Sequence, residues 1–574
     1  MTNISIPSIE ALSAWREIEP GAYRHVYLLL FGIASGRFDA GFNETLDGAL
    51  ERLTGTENDL LVYRSHSMSL TLSKFADLVE QLQSAIAQYG EMKVLEQGLF
   101  QMPPTAMREE LFPDQICRAL SAWKTDSTQA IVFDNNRDSL PFYLAAEGKE
   151  TVVFTLFCST KSYWDLAGKA TGLPLNGVAC GYDYEEVCTF LEKITPDADC
   201  YLMGPFGMLI DSPEKMGRQD AQVFLLSLIL PRMRGRIAVM STASLSFKGG
   251  RSFHDLRRAL VESERLSSVA VFPGNLLEWA MIPMLGLFVG AASEKRQTTR
   301  FADFSDENLY AQSNRRRRRV LNEKGLLALD SLLAMEQTDS PVAEVSKDRL
   351  LADSTVCLAP QNYLLELTDG EDIKTIENFP LKLSDIAEVI RPILRRTAEN
   401  GIPVREVGAS DISSFGRVAE PRDSAFIEEE KVSEAFQRTI LRRHDIVFCV
   451  KGSVARCGLV VDEPSDRWTI GQMCVGIRLK PDAPISAVAL WRYLRTESFG
   501  KYLKKVVPAL AMQTRIVFMS AKDVENFPVP KLSTEQLSRE EAIFAEQEKQ
   551  LKQIKELEKA VAAAEPTEMP ADWQ

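Results

Sequence analysis

Hydrophobic and polar positions change their spacing along the 574-residue chain. Up to about residue 110, apolar side chains recur at helical intervals. They include Leu72, Phe75, Leu78, Leu82 and Ile86. Between about 111 and 295, short runs rich in β-branched and aromatic residues alternate with amphipathic stretches. The runs are 130–133, 151–155, 200–203, 236–240 and 268–272. Buried parallel strands separated by helices produce this pattern, so we predict a doubly wound α/β sheet.

The second half of the chain has a different pattern. Residues 296–350 are polar and contain five successive arginines, 315–319, which form either a solvated helix face or a phosphate-contacting patch. Short strands return between about 351 and 532. Residues 533–563 are charged, with an a/d-like seam of apolar residues that either pairs with a second copy or packs on its own protein. The seam consists of Phe544, Leu551, Ile554 and Val561.

These patterns predict four domains. We expect a helical N-terminal domain at 1–108, an α/β domain at 109–330, an α+β domain at 331–532, and a long helix with a tail at 533–574.

The composition indicates the class of protein and its cellular location. Hydrophobic residues make up 45% and charged residues 25%, as in soluble globular proteins. Nine scattered cysteines without a CxxC pair predict reduced thiols, and four histidines without a metal-ligand spacing predict no metal site. The apolar runs 26–34 and 276–292 do not satisfy the requirements of a membrane span, and the N-terminus lacks a signal-peptide pattern. We expect a cytoplasmic protein with no membrane contact.

The net charge of −14 does not decide for or against nucleic acid. In a protein of this size, phosphate contacts depend on a local basic surface and not on the total charge.

An ordered series of short motifs runs through the α/β region. It comprises 110–114, 130–138, 160–167, 201–206, 247–250, 271–276 and Ile282-Pro283. In order and spacing this series resembles the modification subunit of type I restriction systems, an N6-adenine DNA methyltransferase family. The resemblance covers roughly residues 1–330. It implies a Rossmann-like sheet, S-adenosylmethionine as cofactor and a flipped adenine as substrate.

The cofactor loop departs from that family. The family has a glycine-rich loop after the first strand, whereas residues 133–139 contain no glycine. Asp134 keeps the acidic position, but Arg137 brings bulk and positive charge beside a sulfonium ligand. After the second strand, where the family places an acidic residue for the ribose, this chain has residues 157–159, Phe-Cys-Ser.

The catalytic tetrapeptide departs as well. At the family's Asn-Pro-Pro-Phe/Tyr stand Met203, Gly204, Pro205 and Phe206. In the family, the Asn side chain and the first Pro carbonyl accept hydrogen bonds from the adenine amino group. Met203 has no comparable acceptor and Gly204 loses the fixed backbone, although Pro205 and Phe206 keep an aromatic face. We expect neither methyl transfer nor a bound cofactor.

The region from Asp353 to Pro530 resembles the target-recognition domain of type I specificity subunits. The resemblance rests on 353–363, 383–386, 404–412, 441–447, 451–453, Gly458, 493–498, 513–523 and 527–530. It implies direct readout of double-stranded DNA, in which loops enter the major groove and basic residues hold phosphates. The DNA-binding candidates are Arg442, Arg443, Lys451, Ser453, Arg456, Gln513 and Arg515, together with Lys248 in the α/β region. Each of them, taken singly, also fits a solvated turn.

Three functions follow from these resemblances. The leading hypothesis is a catalytically inactive DNA-recognition scaffold of a restriction-modification, phage-defence or mobile-element system. Its partners would be a nuclease or helicase subunit, or a second copy joined through residues 533–563. The first alternative is an active S-adenosylmethionine-dependent N6-adenine DNA methyltransferase, in which Asp183 aids cofactor binding and Asp134 or Asn136 replaces the tetrapeptide. The second alternative is a protein-interaction regulator that has lost DNA binding.

Overall fold

The structure is a computed structural model, and it describes part of the chain. The described residues are 23–39, 44–54, 70–99, 112–134, 136–156, 158–179, 184–204, 208–211, 218–277, 282–311, 319–337, 341–392, 401–427, 434–452, 455–507, 510 and 518–564. The chain divides into two compact units, Met1–Leu364 and Leu365–Gln574. The finer boundaries after residues 108, 330 and 532 stay predictions.

The first unit contains a nine-stranded sheet. Its strands are β1 (Gln129–Phe133), β2 (Glu150–Thr155), β3 (Leu175–Ala179), β4 (Asp199–Leu202), β7 (Ile237–Thr242), β8 (Leu266–Phe272), β9 (Met284–Val289), β10 (Thr298–Asp303) and β13 (Val342–Ser346). Their spatial order is β13-β10-β8-β9-β7-β4-β1-β2-β3. All neighbouring strands are parallel except where β9 lies between β7 and β8, and where β13 pairs with β10. The predicted doubly wound α/β sheet is confirmed, and these two strands make it mixed.

Two short strand pairs and twelve described helices complete this part of the chain. The strand pairs are β5 (Leu209–Asp211) with β6 (Arg218–Asp220), and β11 (Tyr310–Ala311) with β12 (Val320–Leu321). The helices are α1 (Tyr23–Ala34), α2 (Leu46–Thr54), α3 (Ala76–Tyr89), α4 (Glu91–Gly98), α5 (Asp114–Ala122), α6 (Leu140–Ala146), α7 (Cys158–Thr171), α8 (Tyr184–Leu191), α9 (Ala221–Ile229), α10 (Arg251–Glu262), α11 (Glu323–Ala334) and α12 (Lys347–Ala352).

Both faces of the sheet are buried. Successive residues of a strand point to opposite faces, and in β1 Ala130 and Val132 belong to one apolar cluster while Ile131 and Phe133 belong to the other. The first cluster includes the N-terminal helices, and the second includes α9 and α10. This double burial explains why the strands are apolar runs without alternation.

A saturated polar network lies at the amino edge of the sheet. The carboxylate of Asp199, at the start of β4, is fully buried and pairs with the Lys149 ammonium at 2.9 Å. The same carboxylate accepts hydrogen bonds from the backbone N–H and hydroxyl of Thr125 and from the backbone N–H of Arg236, at 2.9–3.0 Å. One buried charge thereby ties together the starts of β2, β4 and β7.

The second unit contains small sheets and helices, as predicted for an α+β module. Its strands are β14 (Leu381–Lys382), β15 (Ala387–Ile390), β16 (Ile402–Val407), β17 (Asp423–Ile427), β18 (Ile446–Cys449), β19 (Cys457–Leu459), β20 (Trp468–Ile470), β21 (Cys474–Leu479) and β22 (Pro528–Val529). The sheet orders are β15-β21-β18-β19, β17-β16-β20 and β14-β22. The helices are α13 (Pro360–Glu377), which begins in the first unit, then α14 (Leu383–Ile386), α15 (Glu434–Arg438), α16 (Ala487–Leu494), α17 (Glu497–Val506), α18 (Ala521–Glu525) and α19 (Thr534–Ala564).

The two halves of α19 differ in their surroundings. Phe544, in the first half, meets the ring of Trp491 edge-on at 5.9 Å, and Glu540 pairs with Arg492 of α16. In the second half, Leu557 and Val561 are about two-thirds exposed. The first half therefore packs on its own protein. Pairing with a second copy stays a prediction for the second half.

Candidate functional site

The crevice at the switch point of the sheet is the first candidate site. The chain runs from β1 outward through β2 to β3 on one side, and continues on the other side from β4. Open α/β sheets bind ligands outside the carboxyl ends of their strands where the order reverses in this way. β1 and β4 are adjacent there, and the N–H of Met203 donates to the carbonyl of Phe133 at 2.9 Å. The fold thus brings the sequence-predicted Asp134 and Met203 to one place.

Asp134 holds the loop that follows β1. Its fully buried carboxylate accepts hydrogen bonds from the backbone N–H groups of Asn136 at 2.6 Å and Asp138 at 2.8 Å. Burial raises the pKa of Asp134 to about 6, although these N–H groups and Arg137 oppose the rise. The carboxylate therefore shapes its own loop.

Arg137 adopts a left-handed backbone in this loop. Its φ is +64°, a conformation that side chains with a Cβ rarely adopt. The side chain is about nine-tenths buried, and its guanidinium lies over the Tyr163 ring at 5.5 Å. Next to it, Asp138 accepts a hydrogen bond from the N–H of Phe112 at 2.7 Å. The entry segment before α5 is thereby fastened to the loop.

The end of β4 is packed on one side and open on the other. Met203 is fully buried in the core cluster that contains the N-terminal helices. A Cβ placed on Gly204 would meet no described atom within 4 Å, so packing does not require glycine there. Pro205 and Phe206, the rest of the predicted tetrapeptide, lie outside the described residues, as does Asp183.

The ends of β2 and β7 lie at the same carboxyl edge of the sheet as Asp134 and Met203. β2 ends with Thr155 buried and Leu156 half-buried, and neither is acidic. Lys248 follows β7 on the same edge, is exposed, and its ammonium lies 4.8 Å from the centre of the Phe253 ring.

Arg319, the described member of the arginine run, pairs with Glu307 at 3.3 Å. Within the described parts of the chain, no group of three or more His, Cys, Asp or Glu could hold a metal ion.

The DNA-binding candidates of the second unit fall into two places. Lys451 and Arg456 lie in the turn between β18 and β19, where Gly452 has φ +67°. Arg442 and Arg443 precede the other end of β18, so a four-residue strand separates the two pairs by roughly 13 Å or more. Ser453, Gln513 and Arg515 lie outside the described residues.

The turn between β18 and β19 places a lysine beside exposed apolar side chains. The Lys451 ammonium lies 5.5 Å from the centre of the Phe518 ring, and Phe518 is 59% exposed. Met473, whose carbonyl accepts the Lys451 N–H, is 47% exposed. At the other end, the Arg443 guanidinium donates to the carbonyl of Val461 at 3.1 Å. An exposed aromatic ring beside a lysine can contact both a base or sugar and a phosphate.

Sequence reasoning missed the network around Asp114. Its carboxylate accepts hydrogen bonds from Ser139 and Tyr143 at 2.7 Å and from Arg118 at 2.9 Å. These contacts fix the N-terminus of α6, which follows the loop of Asp134. The only sequence signal was an acidic residue at the start of α5, and that signal is also explained by the helix dipole.

Solved structures with a similar fold come from restriction-modification systems. One is the type I methyltransferase subunit from Streptococcus thermophilus, at 15% identity and a TM-score of 0.42, over 59% of this chain and 80% of that chain. A second is the modification subunit of a type I enzyme from Vibrio vulnificus, at 11% identity and 0.43, over 57% and 86%. A third is the type IIG restriction endonuclease BpuSI, at 11% and 0.42, over 91% and 72%.

These similarities concern the fold alone. No family model matches the sequence, and no curated protein matches it either. The fold assignment rests on the strand order and the switch point of the chain itself. The joining of a methyltransferase-shaped body to a specificity-type domain stays a prediction.

Proposed function

We propose that this protein is a DNA-recognition scaffold of a restriction-modification, phage-defence or mobile-element system, and that it transfers no methyl group. One observation carries the proposal. At the switch-point crevice, the loop after β1 is held by its own buried aspartate and contains Arg137, while Met203 is packed into the core. Both departures from the methyltransferase pattern fall at the same edge of the sheet.

The described residues do not fit S-adenosylmethionine. The Asp134 carboxylate is buried and bonded to its own loop, Arg137 adds a buried positive charge to that loop, and β2 ends in Thr155 and Leu156 where a ribose needs an acidic acceptor. Met203 supplies no acceptor for an adenine amino group. These features support an inactive body, and we derive no reaction step through the cofactor.

The second unit supports the recognition role. Lys451 beside the exposed Phe518 and Met473 forms a basic and apolar rim on the turn between β18 and β19. Gly452, with positive φ, lets the backbone of that turn approach a ligand closely. We propose that this turn contacts double-stranded DNA and that Arg442 and Arg443 contact phosphates farther along.

The partners follow from that role. A scaffold that reads DNA without modifying it must act through another protein, so we propose a nuclease, a helicase or another defence-system subunit as partner. The exposed second half of α19 is where we expect a second copy to pair. Among the described helices, none is long and apolar enough to cross a membrane; we propose a cytoplasmic location.

Salt-dependent DNA binding tests the recognition role. We expect the affinity for duplex DNA to fall as salt rises, because binding releases counterions from the phosphates. Replacing Lys451 with Gln should lower the magnitude of the slope of log K against log salt by about 1. The matched control is Lys74→Gln, an exposed lysine shortly before α3, which should leave the slope unchanged. Binding that is absent, or independent of salt, contradicts the proposal and favours a protein-interaction regulator.

One observation favours an active methyltransferase as the second candidate. A Cβ on Gly204 would meet no described atom within 4 Å at the end of β4, and Asp134 keeps a carboxylate at the end of β1. Such an enzyme would need an acceptor for the adenine amino group from another residue. Cofactor binding separates this candidate from the scaffold.

A further inference from the structure

An arginine-lined cavity lies in the second unit, between α16 and the first turns of α19. Its volume is about 550 Å³. Three guanidinium groups line it and one carboxylate opposes them: Arg492, Arg495, Arg539 and Glu540. The N-terminal turns of the 31-residue α19 also form its wall, and this end of a helix carries partial positive charge.

The wall of this cavity contains a buried donor. Trp491 is 98% buried, and its indole N–H has no acceptor among the described residues. A buried N–H without an acceptor is destabilising, because it has lost its hydrogen bond to water. The Trp491 ring lies against two guanidinium groups, Arg417 at 4.4 Å and Arg495 at 4.8 Å. Arg417 is paired with Glu548 at 2.5 Å, whereas the Trp491 ring holds Arg495 in place at the wall of the cavity.

The arginines differ in whether their guanidinium groups already have charged or uncharged partners in the protein. Arg492 pairs with Glu540 and also donates to Gln547 at 3.3 Å. Arg495 donates to the carbonyls of Phe415 and Ser414 at 2.6 and 3.1 Å, which are uncharged. Arg539 is exposed and makes no hydrogen bond or ion pair to the described part of the chain. Burial, followed by the charges of Arg417 and Arg492, lowers the pKa of Arg495.

We propose that this cavity binds a phosphate-class anion, held by the guanidinium groups of Arg539, Arg495 and Arg492. Planar guanidinium groups and N–H donors match the oxygens of such an anion. The anion competes with Glu540 for Arg492, so its binding loosens one tie between α19 and α16. The source of the phosphate is either free phosphate or a phosphodiester of bound DNA.

Titration calorimetry with potassium phosphate, at ionic strength held constant with chloride, tests the site. We expect a saturable one-to-one isotherm for the full chain. Arg539→Gln should weaken binding about three- to tenfold, since it removes a charged donor that is partly screened by water. Glu540→Gln should tighten it about threefold, because the competing carboxylate is gone. A role of Glu540 in stability alone would not tighten binding.

Controls and a second titration complete the test. Lys555→Gln, which changes an exposed cation away from the cavity, should bind phosphate as the unmodified protein does. Far-ultraviolet circular dichroism checks that each variant is folded. If phosphate competes with duplex DNA and Arg539→Gln weakens DNA binding, the occupant is a DNA phosphate; if DNA binding is unchanged, it is free phosphate.

No saturable binding, or isotherms that are equal for the unmodified protein and Arg539→Gln, overturns the inference. Phosphate is titrated without DNA, so this failure is separate from a failure of the proposed DNA recognition.

Discussion

Two fully buried aspartates lie on adjacent strands of the large sheet, at opposite edges. Asp199 begins β4 at the amino edge and meets an ammonium, a hydroxyl and two backbone N–H groups. Asp134 follows β1 at the carboxyl edge and meets backbone N–H groups of its own loop. One carboxylate joins three segments, whereas the other shapes a single loop.

The difference shows which edge is built for stability. At the amino edge, a buried charge has a buried opposite charge 2.9 Å away. At the carboxyl edge, burial raises the pKa of Asp134 to about 6, and Arg137 adopts a left-handed backbone. The left-handed backbone does not distinguish the two edges, because Glu264, just before β8 at the amino edge, has φ +57°. A buried carboxyl group with a raised pKa, however, is typical of functional sites. We therefore propose that the carboxyl edge beside Asp134 is a ligand site, and that its residues do not fit S-adenosylmethionine.

The largest effect is expected at Asp199. Asp199→Asn leaves the Lys149 ammonium buried without its carboxylate, so the free energy of unfolding should fall by about 3–5 kcal/mol. Urea unfolding measures it. The matched control is Asp126→Asn, an exposed aspartate a few residues before β1, which should change the free energy of unfolding by less than about 0.5 kcal/mol. A loss below about 1 kcal/mol for Asp199→Asn would show that the pair is not a stabilising tie.

Asp134 should instead make stability depend on pH. Its folded-state pKa of about 6 lies above the ordinary value of 3.8. Its favourable contribution is therefore complete below about pH 4 and is lost as the pH rises through 6. Relative to Asp134→Asn, the unmodified protein should lose up to about 3 kcal/mol between pH 4 and 7. Urea unfolding of both proteins across this range measures the difference, and a flat difference contradicts the account.

Substitutions at two glycines test the same comparison of the two edges, with a smaller expected effect on stability. A Cβ on Gly235, at the amino edge, would lie 2.2 Å from the carbonyl oxygen of Ala198, whereas one on Gly204 would meet no described atom within 4 Å. Gly235→Ala should cost about 1–3 kcal/mol, and Gly204→Ala should stay within about 0.5 kcal/mol. Thermal unfolding compares them. Equal losses would mean that the carboxyl edge is as tightly packed as the amino edge.

Most of the sheet could be predicted from the sequence. β1, β2, β4, β7 and β8 each contain a run of apolar residues because both faces of the sheet are covered. β10 and β13 lie in a stretch that is polar in sequence. Arg300 of β10 is 94% buried and lies 3.4 Å from Glu344 on β13, its partner in register. The residue that pairs with Arg300 lies 44 positions away in the sequence. The local sequence pattern therefore gives no sign that Arg300 is buried in a strand.

The site was predictable in position but not in conformation. Motif order located Asp134 and Met203 at neighbouring strand ends, and the fold brings them together. The left-handed backbone of Arg137 had no signal, since glycine or asparagine is the residue expected at such a φ. The DNA-binding candidates were grouped by closeness in sequence, whereas β18 separates Arg442 and Arg443 from Lys451. Residues that are close in sequence can lie at opposite ends of an extended strand, and the sequence alone does not show this.

Calorimetric titration of the protein with S-adenosylmethionine, with and without duplex DNA, tests the central claim most directly. The account predicts no detectable heat of binding at about 1 mM ligand, because the loop of Asp134 and Arg137 does not accommodate a sulfonium cofactor. Saturable binding with a dissociation constant of about 1–10 µM would contradict it. The protein would then be a methyltransferase that positions its adenine without an asparagine at residue 203.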